Sequence, residues 1–259
     1  MELIRNVGRW GNSAGVLLPR EWVGNQVKII FVDRTSEVKK ETLNILGPYL
    51  EDILGIYLTG SYARGEQEEN SDIDIIVISN ETKKEIISGK YHISILTLDG
   101  IHKNLHSNPE LVLPRLFEAK TILNKSLLEE LKSGKIEANS FKGFVEESKR
   151  IIRINKGLIN LDKEEGHKNL DSINVVYSVL LRLRGVFLIN LLLKKEKYSK
   201  KGFLKWLEEN IPNVEIVYDI YKKIRDNKKV KADVKIDLIE RLLGKLEEEI
   251  NKLKNKLKK

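Results

Sequence analysis

The stretch that decides the fold runs from Leu54 to Asn80 and reads LGIYLTGSYARGEQEENSDIDIIVISN. It begins with an apolar run that ends at Gly60, and it closes, after Ser71, with a second run in which acidic and apolar residues alternate. Short apolar runs bounded by glycine, serine and asparagine are typical of β-strands joined by polar loops. The stretch therefore predicts two strands with a polar connection.

Two aspartates lie at the start of the second predicted strand. Side chains alternate across a strand, so Asp72 and Asp74 project from one face while Ile73 and Ile75 enter the core. Crowded carboxylates repel each other, and a divalent cation relieves the repulsion. Mg²⁺ prefers oxygen ligands and commonly binds through one or two carboxylates together with substrate phosphates. Asp72 and Asp74 are therefore candidate ligands of Mg²⁺.

The end of the first strand offers groups that suit a phosphate. Gly60 lets a phosphate approach the backbone, because it has no side chain. The Ser61 hydroxyl and neighbouring main-chain N–H groups are able to donate hydrogen bonds to it. Arg64 is the nearest fixed cation. A plain turn followed by an exposed strand edge is the alternative interpretation of the same residues.

Gly60-Ser61, ten intervening residues and then Asp72-x-Asp74 resemble the signature of the polymerase-β-type nucleotidyltransferases. The fuller pattern GSYARG…SDID resembles their minimal branch. The resemblance implies an α/β domain with a mixed sheet and flanking helices, a Mg²⁺ cofactor, and a nucleoside triphosphate, expected to be ATP, as substrate. It implies catalytic roles for Asp72 and Asp74 and nucleotide binding by Gly60, Ser61, Arg64 and Ser71.

The next strand, Tyr91 to Leu98, departs from that pattern. Catalytic members of the family place a third carboxylate near its start, and the alignment puts His92 there, with Ser94 on the same face. A neutral imidazole is able to take a proton, so His92 is a third candidate catalytic residue, but it is a poor Mg²⁺ ligand. Weakened or lost transfer activity is therefore the alternative expectation.

The sequence predicts three parts with limits at 1–34, 35–138 and 139–259. In the middle part a helix from Thr35 to Leu54, interrupted by Pro48, precedes the strands. The polar segment Glu81 to Ser88 is expected to be a short helix. Further expected elements are helices at 99–106, 109–118 and 126–132 and a short strand at 121–123.

The N-terminal part contains RWGNSAGVLLPREWVG, Arg9 to Gly24, which resembles the AbrB/MazE-like swapped-hairpin domain. Strands are expected at Ala14 to Leu18 and Val27 to Val32, with a turn at Gly11-Asn12. So short a segment has little core of its own, which favours pairing of two copies into a homodimer. The resemblance also implies DNA contacts by Arg5, Arg9, Asn12, Ser13 and Arg20. A hairpin that only dimerises is the alternative.

The C-terminal part shows apolar residues at spacings of three and four in five segments, which predicts a helical bundle. The stretch VVYSVLLRLRGVFLINLLLKKEKYSKKGFLKWLEEN resembles the helical substrate domain of several nucleotidyltransferases, which is related to the HEPN bundle. No histidine follows Arg182 or Arg184 at the spacing of HEPN ribonucleases. Residues two apart lie on nearly opposite sides of a helix, so only one of the two arginines is expected to face a nucleotide cleft.

A heptad stripe ends the sequence, with members Ile239, Leu243, Leu246, Ile250, Leu253 and Leu257. Such a stripe fits packing on the same chain's bundle and fits self-association equally well.

Composition limits the remaining possibilities. The chain has no cysteine, so it has no disulfide, thiolate metal site or cysteine nucleophile. The net charge of +8 is concentrated in residues 141–259, which hold 29 basic and 18 acidic residues. The longest apolar segment, Val175 to Leu193, includes two arginines, which disfavours a membrane span. A cytoplasmic protein is expected.

The expected reaction is transfer of a nucleoside monophosphate, expected to be AMP, from a Mg²⁺-bound triphosphate to a hydroxyl. The acceptor is left open between a small molecule, an RNA end and a protein. The alternative is an antitoxin-like, DNA-binding regulator that keeps the nucleotidyltransferase fold with weak or no activity.

Overall fold

The structure, a computed structural model, describes residues 5, 7–28, 35–68, 70–134, 138–194, 196–209, 211, 214–226, 228–230 and 234–257. By its internal contacts the chain divides into two compact units, Met1–Glu41 and Thr42–Lys259. The sheet and the helical bundle belong to the second unit.

The first unit contains a short antiparallel hairpin. Strands β1 (Gly8–Trp10) and β2 (Ser13–Gly15) pair around the turn at Gly11, where φ is +58°, and a 3₁₀ helix follows at Arg20–Trp22. The turn prediction is confirmed, but β2 ends three residues earlier than expected. The predicted strand at 27–32 is wrong for Val27 and Lys28, which are not in a strand, and its remaining residues lie outside the described part of the chain.

The second unit holds a five-stranded mixed sheet in the order β5-β6-β4-β3-β7, with β4 and β6 parallel and the other pairs antiparallel. The first helix of the middle part, α1 (Thr35–Ile45), begins in the first unit, and the other elements of that part lie in the second. The helices and strands of the middle part follow the predicted order, except that the helix predicted from Thr35 to Leu54 ends at Ile45. Their bounds are α1 Thr35–Ile45, β3 Ile53–Thr59, α2 Gly60–Arg64, β4 Ile73–Ser79, β5 Lys84–Ser88, β6 Tyr91–Thr97, α3 Leu98–Ser107, α4 Pro109–Glu118, β7 Lys120–Leu123 and α5 Lys125–Ser133.

The helix predicted at Glu81 to Ser88 is wrong, because residues 84–88 form strand β5 at the edge of the sheet. Gly89 lies between β5 and β6 with φ +57°, a conformation that suits a tight hairpin turn. Pairing with the buried strand β6 decides the structure of β5, whose own residues are mostly polar and exposed.

Both faces of the sheet are buried at its central strands, β3 and β4. On one face Tyr57, Ile76 and Ile78 pack with residues of α3, α4 and α5, and Ile75 and Val77 are equally buried on the other. Asp74 alternates with Ile75 and therefore lies on the face that α4 covers.

The bundle comprises α6 Lys142–Glu164, α7 Asn174–Lys194, α8 Lys200–Glu208, α9 Val214–Arg225 and α10 Ile236–Lys256. By length and composition α7 is a candidate membrane span, the one such helix in the described part of the chain. Eight of its residues are buried within the unit, as in the central helix of a bundle. Its apolar character is explained by that packing.

The heptad stripe of α10 packs on the same chain. All six of its apolar members are buried, and all belong to the core that includes α6 and α7. Of the two interpretations, docking on the bundle is therefore confirmed for this stripe, and no apolar heptad surface is left on α10 for a partner.

Candidate nucleotide-binding site

The register of β3 and β4 brings the two halves of the motif together. Thr59, the last residue of β3, pairs with Asp74 of β4, and the Thr59 hydroxyl donates to the Asp74 carbonyl oxygen at 3.3 Å. Gly60 and Ser61 follow at once as the first turn of α2. Gly60 and Asp74, which are fourteen residues apart in sequence, thus lie side by side where β3 ends and β4 begins.

Gly60 has a specific steric role beside Asp74. Its φ is +69°, in the left-handed region that favours glycine. A Cβ at this position would collide with the Asp74 carboxylate, since it would lie only 3.0 Å from Cγ. The glycine was expected to admit a phosphate, and in the structure it admits the second aspartate of the motif.

A row of paired residues crosses the sheet through the acidic site. Asp74 pairs with His92 on β6, and His92 pairs with Ile87 on β5. Nδ1 of His92 is 4.0 Å from Oδ2 of Asp72, and both side chains are about half exposed. The structure therefore places His92 beside both aspartates, at the position where the sequence resemblance expects an acid.

Burial raises the pKa of the Asp74 carboxyl above its ordinary value, and the Asp72 charge adds to the rise. Arg115 of α4 and His92 act against it, since positive charge favours the ionised form. Burial and the Asp72 charge therefore disfavour the ionised form of Asp74, and a further cation beside it would stabilise that form.

A largely buried glutamate, Glu118, occupies the donors expected to hold a phosphate. The Gly60 N–H donates to Oε1 of Glu118 at 2.7 Å, and Nη1 of Arg64 lies 2.5 Å from Oε2 of the same carboxylate. Burial raises the pKa of the Glu118 carboxyl, while Arg64 and the Gly60 N–H partly oppose the rise. Glu118 is the last residue of α4, so this helix supplies an anion to the end of β3.

Arg64 is held on several sides. Its Nε donates to Oε2 of Glu66 at 2.7 Å, and its guanidinium carbon lies 5.3 Å from the ring centroid of Tyr198. Burial alone would lower the pKa of this guanidinium, but Glu66 and Glu118 outweigh the effect and the net shift is upward. Arg64 is therefore a permanently charged group in a fixed place.

The helical bundle reaches the same site. The guanidinium carbon of Arg184 lies 5.1 Å from the Tyr198 ring centroid, and the backbone N–H of Lys200 donates to Glu66 at 3.1 Å. Arg182, on the other side of α7, pairs with Glu147 at 2.9 Å. Arg184 thus lies toward the motif and Arg182 pairs with an acid, as the geometry of residues two apart on a helix leads one to expect.

An aromatic cluster continues from Tyr198 into the bundle. Phe187 lies 6.2 Å from Tyr198 and 5.4 Å from Trp206, measured between ring centroids. Phe203 lies 6.1 Å from Trp206. The site therefore borders a packed aromatic core.

The two predicted serines and the predicted DNA contacts have different surroundings. Ser71 accepts a hydrogen bond from the Glu68 N–H at 2.8 Å and closes the loop before the aspartates, and Ser61 is partly exposed. The five candidate DNA contacts lie in the first unit, and all are exposed: Arg5, Arg9, Asn12, Ser13 and Arg20.

The donor set suits Mg²⁺ only in part. Within the described ranges no group of three or more metal-ligating side chains is present, so Asp72 and Asp74 have no third carboxylate beside them. Two carboxylates, one of them with a raised pKa, match the way in which Mg²⁺ is shared between protein and substrate phosphates. The residues fit an ion that arrives with a nucleotide.

Comparison with known proteins decides the family. A family model for the "Nucleotidyltransferase domain" matches residues 37–152. A "Putative protein adenylyltransferase" of Methanocaldococcus jannaschii is 32% identical over 142 residues, which is 50% of this chain and 95% of the relative. The chain belongs to the nucleotidyltransferase family.

Two solved structures are also similar to this nucleotidyltransferase. A nucleotidyltransferase-like protein from Exiguobacterium sibiricum 255-15 has 14% identity and a TM-score of 0.38, over 83% of this chain and 75% of that chain. A spectinomycin adenyltransferase from Enterococcus faecialis, solved with ATP and spectinomycin, has 16% identity and a TM-score of 0.45, over 84% of this chain and 99% of that chain. At these TM-scores the likenesses add nothing to the family assignment.

Four residues of this nucleotidyltransferase site escaped the sequence reasoning: Arg115, Glu118, Tyr198 and Glu66. Arg115, Glu118 and Tyr198 reach the motif only through tertiary packing, whereas Glu66 lies two residues after Arg64 in sequence. The one local signal is Glu118, an acid at the C-terminal end of a helix, where the helix dipole disfavours negative charge.

Proposed function

We propose that the protein transfers AMP from Mg²⁺-bound ATP to a hydroxyl acceptor and releases pyrophosphate. The observation that carries this proposal is the pairing of Thr59 with Asp74, which brings Gly60 against the Asp74 carboxylate. The name of the M. jannaschii relative, a protein adenylyltransferase, supports AMP as the transferred group.

In the proposed reaction the acceptor oxygen attacks the α-phosphorus of ATP. The bond from that phosphorus to the bridging oxygen breaks, and the electron pair leaves with pyrophosphate. Asp72 and Asp74 would hold the magnesium ion, which supplies neutralisation of the developing phosphate charge. His92, beside the aspartates, would take the hydroxyl proton, since a neutral imidazole is a suitable base near neutral pH.

The remaining assignments of the proposal concern binding. Gly60, Ser61 and Arg64 would contact the phosphates, with Ser71 ordering the loop that follows them. We further propose a cytoplasmic protein whose three parts, 1–34, 35–138 and 139–259, serve assembly, transfer and substrate binding. The acceptor is a hydroxyl on a protein, an RNA end or a small molecule.

Thermal melts test the site directly. Mg²⁺-ATP should raise the melting temperature of the parent protein by mass action, because it binds the folded state alone. Asp74→Asn keeps the shape but deletes a buried charge with a raised pKa, so it should leave the empty protein as stable or more stable and abolish the ATP effect. A parent protein indifferent to every Mg²⁺-nucleotide contradicts the proposal.

Radiolabel transfer tests the reaction. Incubation of the protein and a cell lysate with α-labelled ATP, GTP, CTP or UTP and Mg²⁺ should label an acceptor with ATP in the parent protein and not in Asp74→Asn. Equal labelling by both proteins would exclude these aspartates from the reaction.

A second candidate function is a catalytically weak, antitoxin-like regulator that binds DNA. It is favoured by His92, which stands where an acid is expected, and by the lack of a third carboxylate beside the aspartates in the described ranges. Replacing Arg5, Arg9 and Arg20 by alanine should then remove salt-sensitive DNA binding, at a slope of about −0.9 in log affinity per phosphate contact. DNA affinity that does not change with salt, or that survives the triple replacement, contradicts this function.

A further inference from the structure

The carboxylate of Glu118 bridges the two groups that the proposed function assigns to phosphate. One oxygen accepts from the Gly60 N–H at 2.7 Å, and the other lies 2.5 Å from Nη1 of Arg64. We propose that Glu118 is an internal anion that occupies the phosphate-binding donors of the empty protein, and that a nucleotide binds by exchanging a phosphate for this carboxylate. The inference rests on the proposed function, because it concerns the same donors.

A carboxylate is a close chemical substitute for one edge of a phosphate. Both present two anionic oxygens, and both form short charge-assisted hydrogen bonds with guanidinium and backbone N–H groups. The Gly60 N–H has a single hydrogen, so Glu118 and a phosphate oxygen compete for it. Glu118 is tethered to the site, so it competes at a high effective concentration.

The position of Glu118 is unfavourable for a purely structural acid. It is the last residue of α4, where the helix dipole opposes negative charge. Its side chain is 11% exposed, and its pKa is raised despite contact with Arg64. The ionised form is therefore held at a cost, which leaves it open to displacement by a more highly charged phosphate.

A place for the displaced side chain adjoins the site. Glu118 borders a small pocket between α4 and α7 that is partly open to solvent. Lys197 borders the same pocket, and its exposed ammonium group would receive the carboxylate there. The exchange requires the Glu118 side chain to rotate away from Gly60 and Arg64 toward this pocket and the solvent.

Glu66 provides a matched control because it also pairs with Arg64. Its carboxylate lies 2.7 Å from Nε of that guanidinium. The backbone N–H that donates to this carboxylate is that of Lys200 and not that of Gly60. Glu118→Gln and Glu66→Gln each remove one negative charge near Arg64. Only the first removes the charge that holds the Gly60 N–H.

Calorimetric titration with inorganic tripolyphosphate and Mg²⁺ tests the exchange in the full chain. Glu118→Gln should bind tripolyphosphate at least about tenfold more tightly than the parent, since a charge-assisted competitor is lost. Glu118→Asp, which keeps the charge on a shorter side chain, should also bind more tightly, and it serves if the first variant folds poorly. Glu66→Gln should change the affinity much less.

The following results would overturn the inference. Unchanged or weaker binding in folded Glu118→Gln shows that the carboxylate does not compete. An equal gain in affinity in Glu66→Gln shows that removal of any negative charge near Arg64 has the same effect. If the parent and all variants bind neither tripolyphosphate nor ATP, the proposed function fails and the exchange fails with it. Binding by the parent without a gain in the Glu118 variants refutes the exchange alone.

Discussion

Gly60 and Gly65 are two glycines with nearly the same φ angle at the two ends of α2. Their φ angles are +69° and +72°, so a side chain at either position is strained. A Cβ at Gly60 meets the Asp74 carboxylate, whereas a Cβ at Gly65 meets nothing within 4 Å. The pair therefore separates backbone strain from displacement of the aspartate.

Both Gly60→Ala and Gly65→Ala should lower the free energy of unfolding, each by about 1 kcal/mol or more from backbone strain. Gly60→Ala should be the less stable of the two, and it alone should lose the rise in melting temperature caused by Mg²⁺-ATP. Thermal melts with and without nucleotide measure both effects. Equal behaviour of the two variants would refute the steric role of Gly60.

Glu110 of α4 is a second acid whose environment opposes its charge. Burial raises its carboxyl pKa, although Arg182 acts in the opposite direction, and its Oε2 has no hydrogen-bond partner among the described residues. An acid whose pKa is raised on folding costs stability at neutral pH. That cost shrinks as the pH falls through the raised pKa toward the ordinary value.

Glu110→Gln should therefore raise the melting temperature at pH 7 to 8, and its advantage over the parent should shrink as the solution is acidified. Glu51→Gln, at an exposed position of the same unit, is the control. Melting curves recorded from pH 8 down into the acidic range provide the measurement. An advantage of Glu110→Gln that grows on acidification would contradict the sign of the shift.

At the scale of elements, the local sequence pattern predicted the strands and helices whose apolar residues recur regularly. It failed for strands that form through pairing with a neighbouring strand. Acidic and apolar residues alternate from Asp72 to Ile75, an apolar run continues to Ile78, and β4 forms there. Residues 84–88 are mostly polar, and they become a strand only because β6 offers an open edge. Glu118 joins the site through the packing of α4 on the sheet, which no local pattern of residues records.

Helix α10 provides a test of packing at this scale. Leu246 is fully buried in the bundle core, while Ile154 on α6 is 50% exposed. Leu246→Ala should lower the free energy of unfolding by about 2–5 kcal/mol through lost burial and a cavity. Ile154→Ala should change it by no more than about 0.5 kcal/mol.

Chemical denaturation measures both variants, and light scattering should find the parent's mass in each, since the heptad stripe faces the chain's own bundle. A change of mass in Leu246→Ala without loss of stability would indicate that the heptad stripe mediates self-association.

At the scale of the whole molecule, assembly is expected to depend on the N-terminal unit. This unit exposes large apolar side chains, among them Val7, Trp10, Leu17 and Val23. Removing residues 1–34 should lower the molar mass in solution from dimer to monomer, because the short strands have little core of their own. Light scattering measures the molar mass. An unchanged mass would show that another part of the chain forms the dimer, or that the protein is a monomer.

The aromatic cluster beside the site also provides an optical signal. The chain has three tryptophans, and two of them, Trp10 and Trp22, precede residue 35. A chain that begins at Thr35 therefore emits from Trp206 alone, whose ring is in contact with Phe187 and, through it, with Tyr198 against Arg64. Because indole emission responds to nearby charge and packing, nucleotide titrations of that shorter chain can be followed at a single fluorophore without any added dye.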